Sequence, residues 1–189
     1  MSAPELETVC VSTPLEYAQA ALLLGEQRAW TEALVGQDLA EIQPSSRREY
    51  AHLADFYAPP HGAMLLARLE GEPVGVVAVR RLDDDRGEGK RLFVRPPARG
   101  FGVARRLLVE MFALARALGF KSLYIETTPG KMAEQYEWYR RLGFRETGKL
   151  NFADMDSVVA MELPLQGVNA SRGPACRYDV RELRGLPLR

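Results

Sequence analysis

A glycine-containing turn lies in the middle of the chain, between an apolar run and a stretch with helical periodicity. It reads Arg99-Gly100-Phe101-Gly102-Val103-Ala104. A strand that turns through glycines into a helix presents unpaired backbone N–H groups at the positive end of the helix dipole, where an anion is favoured. We therefore predict a phosphate site made of backbone N–H groups with arginines nearby. The N–H groups are those of Gly100, Gly102, Val103 and Ala104, and the arginines are Arg99 and Arg105.

The elements that must hold this turn are predicted from hydrophobic period and from turn residues. Apolar residues at helical spacing run from Val103 to Leu118, and Gly119 is placed to end that helix. The strand before the turn covers residues 90–95. Further strands are predicted at residues 7–11, 121–127, 144–147 and 158–163, with a hairpin at 63–69 and 74–80. Further helices are predicted at residues 15–24, from Ser45 or Ser46 through Phe56, and at 132–142, while residues 25–44 mix loop and helix.

Length and composition predict one domain with a sizeable core. The chain has 189 residues, of which 47% are apolar, and a chain of this size buries most of its apolar surface in one unit. Periodicity ends near Pro164. We therefore expect the domain to span residues 1–165 and residues 166–189 to form a C-terminal extension, either flexible or packed on a partner.

Charge and cysteine content exclude several classes of function. The 25 basic residues are balanced by 25 acidic ones, so no footprint for nucleic acid is expected. The N-terminus lacks a basic region followed by an apolar run, and no segment is long and apolar enough to span a bilayer, so a cytoplasmic protein without a membrane partner is expected. Cys10 and Cys176 lack metal-ligand spacing, so we expect free thiols and no metal site.

Three motifs occur in an order that resembles a known family. The first is Lys90-Arg91-Leu92-Phe93-Val94-Arg95-Pro96, the second is the glycine turn, and the third is Trp138-Tyr139-Arg140-Arg141-Leu142-Gly143-Phe144. The turn matches (Gln/Arg)-x-x-Gly-x-(Gly/Ala), and the third motif matches Tyr-x-x-x-Gly-Phe. The glycine motif alone is weak, because any tight turn could use it. Together the motifs resemble the GNAT superfamily of acyl-CoA-dependent N-acetyltransferases, over about residues 6–163.

The resemblance implies a fold and a cosubstrate. The GNAT fold is a mixed α/β fold, with a mostly antiparallel twisted sheet of six or seven strands flanked by about four helices. Its sheet splays, here between the strand of Val94 and that of Ile125, to admit acetyl-CoA. The pantetheine arm would lie along Leu92, Phe93 and Val94, with the N–H of Val94 donating to the thioester carbonyl. The pyrophosphate would lie at residues 99–105, Phe101 included, and no metal is implied.

The resemblance also assigns an acid to the reaction. Tyr139 corresponds to the family's general acid, and a phenol whose ordinary pKa is near 10 stays protonated at neutral pH and can protonate a leaving thiolate. Tyr136 lies on the same predicted helix face, where it could substitute for Tyr139 and touch the cofactor. Packing in the core is the alternative interpretation of both rings. Met132 stands where many members of the family have an Asn that contacts the cofactor.

A base is needed because a protonated alkyl amine cannot attack a thioester. Glu88 corresponds to the carboxylate that several family members use, often through water. The alternative is a solvated edge charge paired with Lys90 or Arg81. Glu126, at the end of the next strand, is the second candidate. The acceptor walls of the family correspond here to Trp30, Arg47, Arg48 and His52.

These inferences predict an enzyme that moves an acetyl group from acetyl-CoA to a primary amine of a small molecule or peptide, by direct attack in a ternary complex. The protein would be a monomer or a homodimer. One alternative is a non-catalytic acyl-CoA-binding regulatory module. Another is a nucleotide-binding protein, but Arg105 and Arg106 stand where a P-loop requires Lys and Ser or Thr.

Overall fold

Helices cover both faces of a seven-stranded sheet. The structure is a computed structural model and describes residues 4–38, 41, 45–59, 61–150 and 157–165. The strands are β1 (Leu6–Cys10), β2 (Gly62–Leu69), β3 (Glu72–Arg81), β4 (Arg86–Val94), β5 (Ser122–Thr127), β6 (Arg145–Thr147) and β7 (Val159–Pro164). The helices are α1 (Pro14–Val35), α2 (Ser45–Ala51), α3 (Leu53–Tyr57), α4 (Val103–Ala117) and α5 (Ala133–Arg141), and a 3-10 turn covers Pro96–Ala98.

The strand order confirms the predicted mixed, mostly antiparallel sheet. It runs β1-β2-β3-β4-β5-β7-β6, and every neighbouring pair is antiparallel except β4 and β5. The predicted hairpin between β2 and β3 closes through Glu70 and Gly71, whose φ angles are 51° and 82°. Positive φ at both central residues gives a turn whose twist matches that of the strands.

Alternate residues of the central strands pack into two separate cores. Leu65 and Val77 pack with the buried side chains of α4, whereas Leu66 and Val76 pack with those of α1 and α3. Because both faces of these strands are covered, their sequences are apolar almost throughout and do not alternate with polar residues. The sheet therefore separates an α4 and α5 layer from an α1 to α3 layer.

The structure corrects the prediction for the first third of the chain. Residues 25–35, predicted as mixed loop and helix, belong to α1. That helix begins at a capping box in which the Thr13 side chain accepts from the Glu16 N–H and the Glu16 carboxylate accepts from the Thr13 N–H, and it ends at Gly36 with φ 74°. The helix predicted through Phe56 is two short helices, α2 and α3, separated at His52.

The expectation of free thiols is wrong for Cys10, which is disulfide-bonded and buried at the end of β1. Cys176 and the predicted extension, residues 166–189, lie outside the described residues. Among the described parts of the chain, no helix combines the length and apolar character needed to cross a membrane.

Candidate active site

The sheet divides between β4 and β5, as the resemblance implies. These strands pair in parallel only where Arg86–Glu88 of β4 lies beside Ser122–Tyr124 of β5. Beyond that point β4 continues to Val94 on β3, and β5 continues to Thr127 on β7. The two strands therefore diverge, and the last residues of β4 present a backbone edge to the opening.

The backbone of Val94 is directed into this opening. The N–H of Arg95 donates to Val74 O at 2.9 Å, and the register continues through Gly75 with Val94 and Val76 with Phe93. In an antiparallel ladder, hydrogen-bonded and non-hydrogen-bonded pairs alternate, so Val94 belongs to a non-hydrogen-bonded pair. Its N–H and C=O point away from β3, towards the β5 side, where an extended ligand could be paired as an added strand.

A bulge lies just before this edge. The register between β3 and β4 shifts between Val76 with Phe93 and Ala78 with Lys90, so three steps along β4 match two along β3. Arg91 lies in the bulge with φ 62°, a conformation that non-glycine residues seldom adopt. A bulge re-aims side chains and is common beside active sites, and here it directs the Arg91 side chain towards α2.

The glycine turn follows the edge and leads into α4. Gly100 and Gly102 have φ angles of 88° and 80°, and Gly102 caps the helix without any side-chain hydrogen bond. A Cβ built at either glycine would meet nothing within 4 Å, so the space in front of the turn is open. The first N–H groups of this 15-residue helix have no partner within the helix, as an anion site requires, and the phosphate site stays a prediction.

The residues around the turn differ in their environments. Val103 is buried, Ala104 is partly buried, and Arg105 and Phe101 are exposed. Arg99 is exposed, and its Nε donates to Val94 O at 3.1 Å. Its guanidinium carbon also lies 5.8 Å from the centre of the Trp30 ring. Arg99 thus joins the end of β4 to α1, and Trp30 contacts the turn.

Tyr139 lies in the same buried cluster as Val94 and Val103. Its hydroxyl accepts a hydrogen bond from Gln135 Nε2 at 3.1 Å, and its ring centre is 5.4 Å from that of Phe144. Burial raises the pKa of Tyr139 to about 12, against the opposing effect of Gln135. The phenol therefore keeps its proton across the neutral range and can donate it.

The other predicted cofactor residues are divided between two places. Leu92 packs against the cluster that holds Tyr139, whereas Phe93 packs on the opposite face with α1 and α3. Tyr136 is partly buried against the Tyr139 cluster, but its hydroxyl donates to Glu146 of β6. A cavity of about 800 Å³ lies beside that pair, lined by Arg140 and Arg145 among others.

Glu88 is a buried ion-paired carboxylate and not a solvated edge charge. It is 2% exposed. Arg80 Nε donates to it at 2.5 Å, and Lys90 Nζ lies 3.4 Å away. The predicted alternative was right about Lys90 and wrong about Arg81, because Arg80 is the residue in register with Glu88 on β3.

Glu126 lies across the opening on β5. Tyr124 donates to it at 2.6 Å, and the Tyr124 hydroxyl accepts from the N–H of Leu150 at 2.8 Å. Burial raises the pKa of Tyr124 above its ordinary value, and the hydrogen bond to Glu126 raises this pKa as well. Two carboxylates, Glu88 and Glu126, therefore flank the point where the strands separate.

Sequence reasoning missed a buried carboxylate on α2. Arg91 Nε donates to Glu49 at 2.6 Å, and Lys90 Nζ lies 3.9 Å away. Tyr57 also donates to this carboxylate. Burial alone would raise the pKa of Glu49, but the hydrogen bond and charge of Arg91 outweigh it and lower the pKa to about 2. No sequence pattern links residues that are 42 positions apart.

The residues predicted as acceptor walls lie on α1, on α2 and between α2 and α3, and their role stays a prediction. Trp30 lies beside Arg99, as described above. Arg47 and Arg48 are exposed on α2, and His52 is exposed between α2 and α3. The α2 residues that turn inward to β4 are instead Glu49 and Tyr50.

Comparison with known families and proteins gives consistent matches. The family model described as the acetyltransferase (GNAT) family matches residues 28–144. An IAA acetyltransferase from Azospirillum brasilense is 36% identical over 132 residues, which are 67% of this chain and 83% of that protein. An N-acetylaspartate synthetase from Danio rerio is 28% identical over 140 residues, which are 73% of this chain and 48% of that protein.

Solved structures share the fold at low sequence identity. A GNAT-family acetyltransferase from Staphylococcus aureus has a TM-score of 0.69 at 17% identity, and the match covers 86% of this chain and 100% of that chain. The paia N-acetyltransferase from Thermoplasma acidophilum, solved in complex with coenzyme A, has a TM-score of 0.65 at 16% identity, with 85% and 99% covered.

Proposed function

Because this chain belongs to the GNAT family of acetyltransferases and is an acyltransferase, we propose that it moves an acetyl group from acetyl-CoA to a primary amine of a small molecule or peptide. The amine attacks the thioester directly while both substrates are bound. The observation that carries this proposal is the Val94 N–H directed into the opening between β4 and β5, with the glycine turn at its end. An N-acetylaspartate synthetase among the relatives supports an amine acceptor.

The proposed contacts to the cosubstrate come from the end of β4 and from the glycine turn. Acetyl-CoA supplies an activated acyl group, so the protein has to hold the thioester, stabilise its oxygen and manage two protons. Val94 N–H donates to the thioester oxygen, and the backbone of Leu92 to Val94 pairs with the pantetheine arm. The N–H groups at residues 100–104 hold the pyrophosphate. The open space in front of Gly100 and Gly102 supports this assignment.

Two side chains divide the proton transfers. Tyr139 gives its phenolic proton to the departing sulfur, a role supported by its burial in the same cluster as Val94 and by a pKa of about 12. Glu88 accepts the proton of the attacking amine, directly or through water, from the face of β4 opposite to Tyr139. Glu126 is the alternative base, since it flanks the same opening from β5.

The test is turnover with a panel of primary amines. Thiol release from acetyl-CoA and the mass of the acetylated amine should rise together, in equal molar amounts, for at least one amine. Acetyl-CoA that stabilises the protein without any acetylated product would support the non-catalytic binding module instead. Thiol release without an acetylated amine would indicate hydrolysis only and would also contradict the proposal.

A further inference from the structure

The Arg91 guanidinium is only partly satisfied. Its Nε donates to Glu49 at 2.6 Å and its Nη1 donates to the Tyr50 hydroxyl at 3.1 Å. Its Nη2 is buried and has no hydrogen-bond partner among the described residues. The side chain as a whole is 12% exposed. Buried donors are nearly always paired, so an unpaired one on a charged group calls for an explanation.

The position of Arg91 suggests what that explanation is. The residue lies in the β4 bulge, three positions before Val94, with φ 62°. Strained backbone of this kind persists where the surrounding structure requires it and is concentrated at functional sites. The guanidinium lies between α2 and β4, beside Lys90, which contacts both Glu49 and Glu88. Arg91 is thus connected through Lys90 to the proposed base.

The charges of this cluster do not cancel. Three cations, Arg80, Lys90 and Arg91, contact two carboxylates, Glu49 and Glu88, within the described part of the chain. Lys90 is 10% exposed, and burial lowers its pKa despite both carboxylates. An excess of positive charge that is largely shielded from water is unfavourable unless an anion balances it. Carboxylates and phosphates both accept hydrogen bonds from a guanidinium, and a carboxylate, with one negative charge, matches the excess of one cation.

We propose that the acceptor is an amine that also carries a carboxylate, such as an amino acid, and that its carboxylate accepts a hydrogen bond from Arg91 Nη2. This rests on the proposed acetyl transfer. The amine then faces Glu88 and the thioester held at Val94. Because Nη2 is shielded, α2 has to move slightly to admit the carboxylate. A seven-residue helix is held by its contacts and not by its own stability, and the Glu49 and Tyr50 contacts of α2 are made to Arg91 itself.

Matched pairs of acceptors test this assignment. Alanine is compared with ethylamine, and phenylalanine with 2-phenylethylamine, so that members of a pair differ only in the carboxylate. The wild-type kcat/KM should be about 10- to 100-fold higher for the carboxylated member, as expected for one charged hydrogen bond. Arg91→Met should abolish this preference, and Arg91→Lys, which keeps the charge but not the Nη2 donor, should reduce it.

Two further variants separate binding from folding. Arg86→Met removes an arginine from the start of the same strand, where its partner is the turn residue Asp83, and should keep the preference. Arg91→Met leaves the buried Glu49 without its arginine and could fold poorly. The double variant Glu49→Gln/Arg91→Met removes both charges and should fold while lacking the preference.

Direct binding gives a readout apart from turnover. With coenzyme A present, N-acetylalanine should raise the melting temperature of the wild type more than N-ethylacetamide does, and the Arg91 variants should lose that difference. Equal turnover of both members of each pair, or a preference that survives in every Arg91 variant, would overturn the carboxylate assignment and leave acetyl transfer intact. If no amine of either kind is acetylated, the proposed function fails and this inference fails with it.

Discussion

Glu88 and Tyr124 are the last residues at which β4 and β5 run side by side. Beyond this pair, β4 bulges at Arg91 and ends at Val94, while the Tyr124 hydroxyl reaches Glu126 and the backbone of Leu150. A carboxylate and a phenol therefore stand at the point where the sheet opens. The proposed chemistry depends on this opening, and the predictions below address its parts in turn.

The glycine turn should be needed for acetyl-CoA binding. Acetyl-CoA at a hundredfold excess over its dissociation constant should stabilise the wild type by about 2.7 kcal/mol. Gly102→Val forces a β-branched residue to a φ of 80° and places its side chain in the open space before the turn, so the thermal shift should be lost. Gly119→Val is the matched control, since Gly119 also has positive φ and open space. Gly119→Val should lower the stability of the protein but keep the thermal shift caused by acetyl-CoA. An unchanged thermal shift in folded Gly102→Val would contradict the phosphate assignment.

Tyr139 should act in the chemical step and not in binding. Tyr139→Phe keeps the ring packing and removes only the hydroxyl, so acetyl-CoA should stabilise the variant as it does the wild type. The catalytic rate should fall by about 10²- to 10⁴-fold because the leaving sulfur loses its proton donor. Tyr17→Phe on α1 is the control and should leave the rate unchanged. A wild-type rate in Tyr139→Phe would identify Tyr139 as a packing residue.

Glu88 should be needed for turnover near neutral pH, as a rate profile against pH would show. Glu88→Gln should lower the catalytic rate there and recover part of its activity at high pH, where free amine is available without a base. Tyr139→Phe should show no such recovery. Glu126→Gln, measured in parallel, distinguishes the two carboxylates. If Glu88→Gln keeps the wild-type profile and Glu126→Gln does not, the base is Glu126.

Glu49 should link folding stability to pH on the acid side. Its pKa of about 2 in the folded chain, below the ordinary 4.5, means that the folded state binds fewer protons than the unfolded state between these values. Its contribution to the free energy of unfolding is therefore fully present above pH 4.5 and is lost as the pH falls towards 2. Denaturant titrations at several pH values should show that the free energy of unfolding falls less steeply with decreasing pH in Glu49→Gln than in the wild type. Glu26→Gln, at an exposed ion pair with Arg95, is the control, and its free energy of unfolding should fall with decreasing pH as steeply as that of the wild type. Equal slopes in the wild type, Glu49→Gln and Glu26→Gln would contradict the role of Glu49.

The sequence predicts the sheet and the α4 layer well because these elements have strong local signals. The turn at Gly71 and the stops at Gly119 and Gly143 coincide with positive φ in the structure, and the apolar period of α4 coincides with the buried residues of that helix. The start of α1 also has a readable signal, since Thr13 and Glu16 have the spacing of a capping box. The prediction did not use that signal, and it ended the helix at Leu24, before residues 25–35, which continue α1.

The ionic part of the site is not predictable from local pattern. The pair between Glu49 and Arg91 joins distant segments, and the bulge that aims Arg91 depends on how β4 pairs with β3. The polar neighbours of Glu88 in the sequence are typical of an edge charge, yet the side chain is buried and paired with Arg80 of β3. The resemblance of the motifs to the GNAT superfamily predicts the opening between β4 and β5. The residues that line the acceptor side of this opening can be identified only from the fold.

The most direct test of the central claim is a crystal structure of the protein with acetyl-CoA bound. The account predicts the pantetheine arm between β4 and β5, the thioester oxygen within about 3 Å of Val94 N, and the pyrophosphate on the N–H groups of residues 100–104. Acetyl-CoA bound elsewhere, such as in the cavity beside Tyr136 and Arg140, with β4 and β5 left apart and empty, would contradict it.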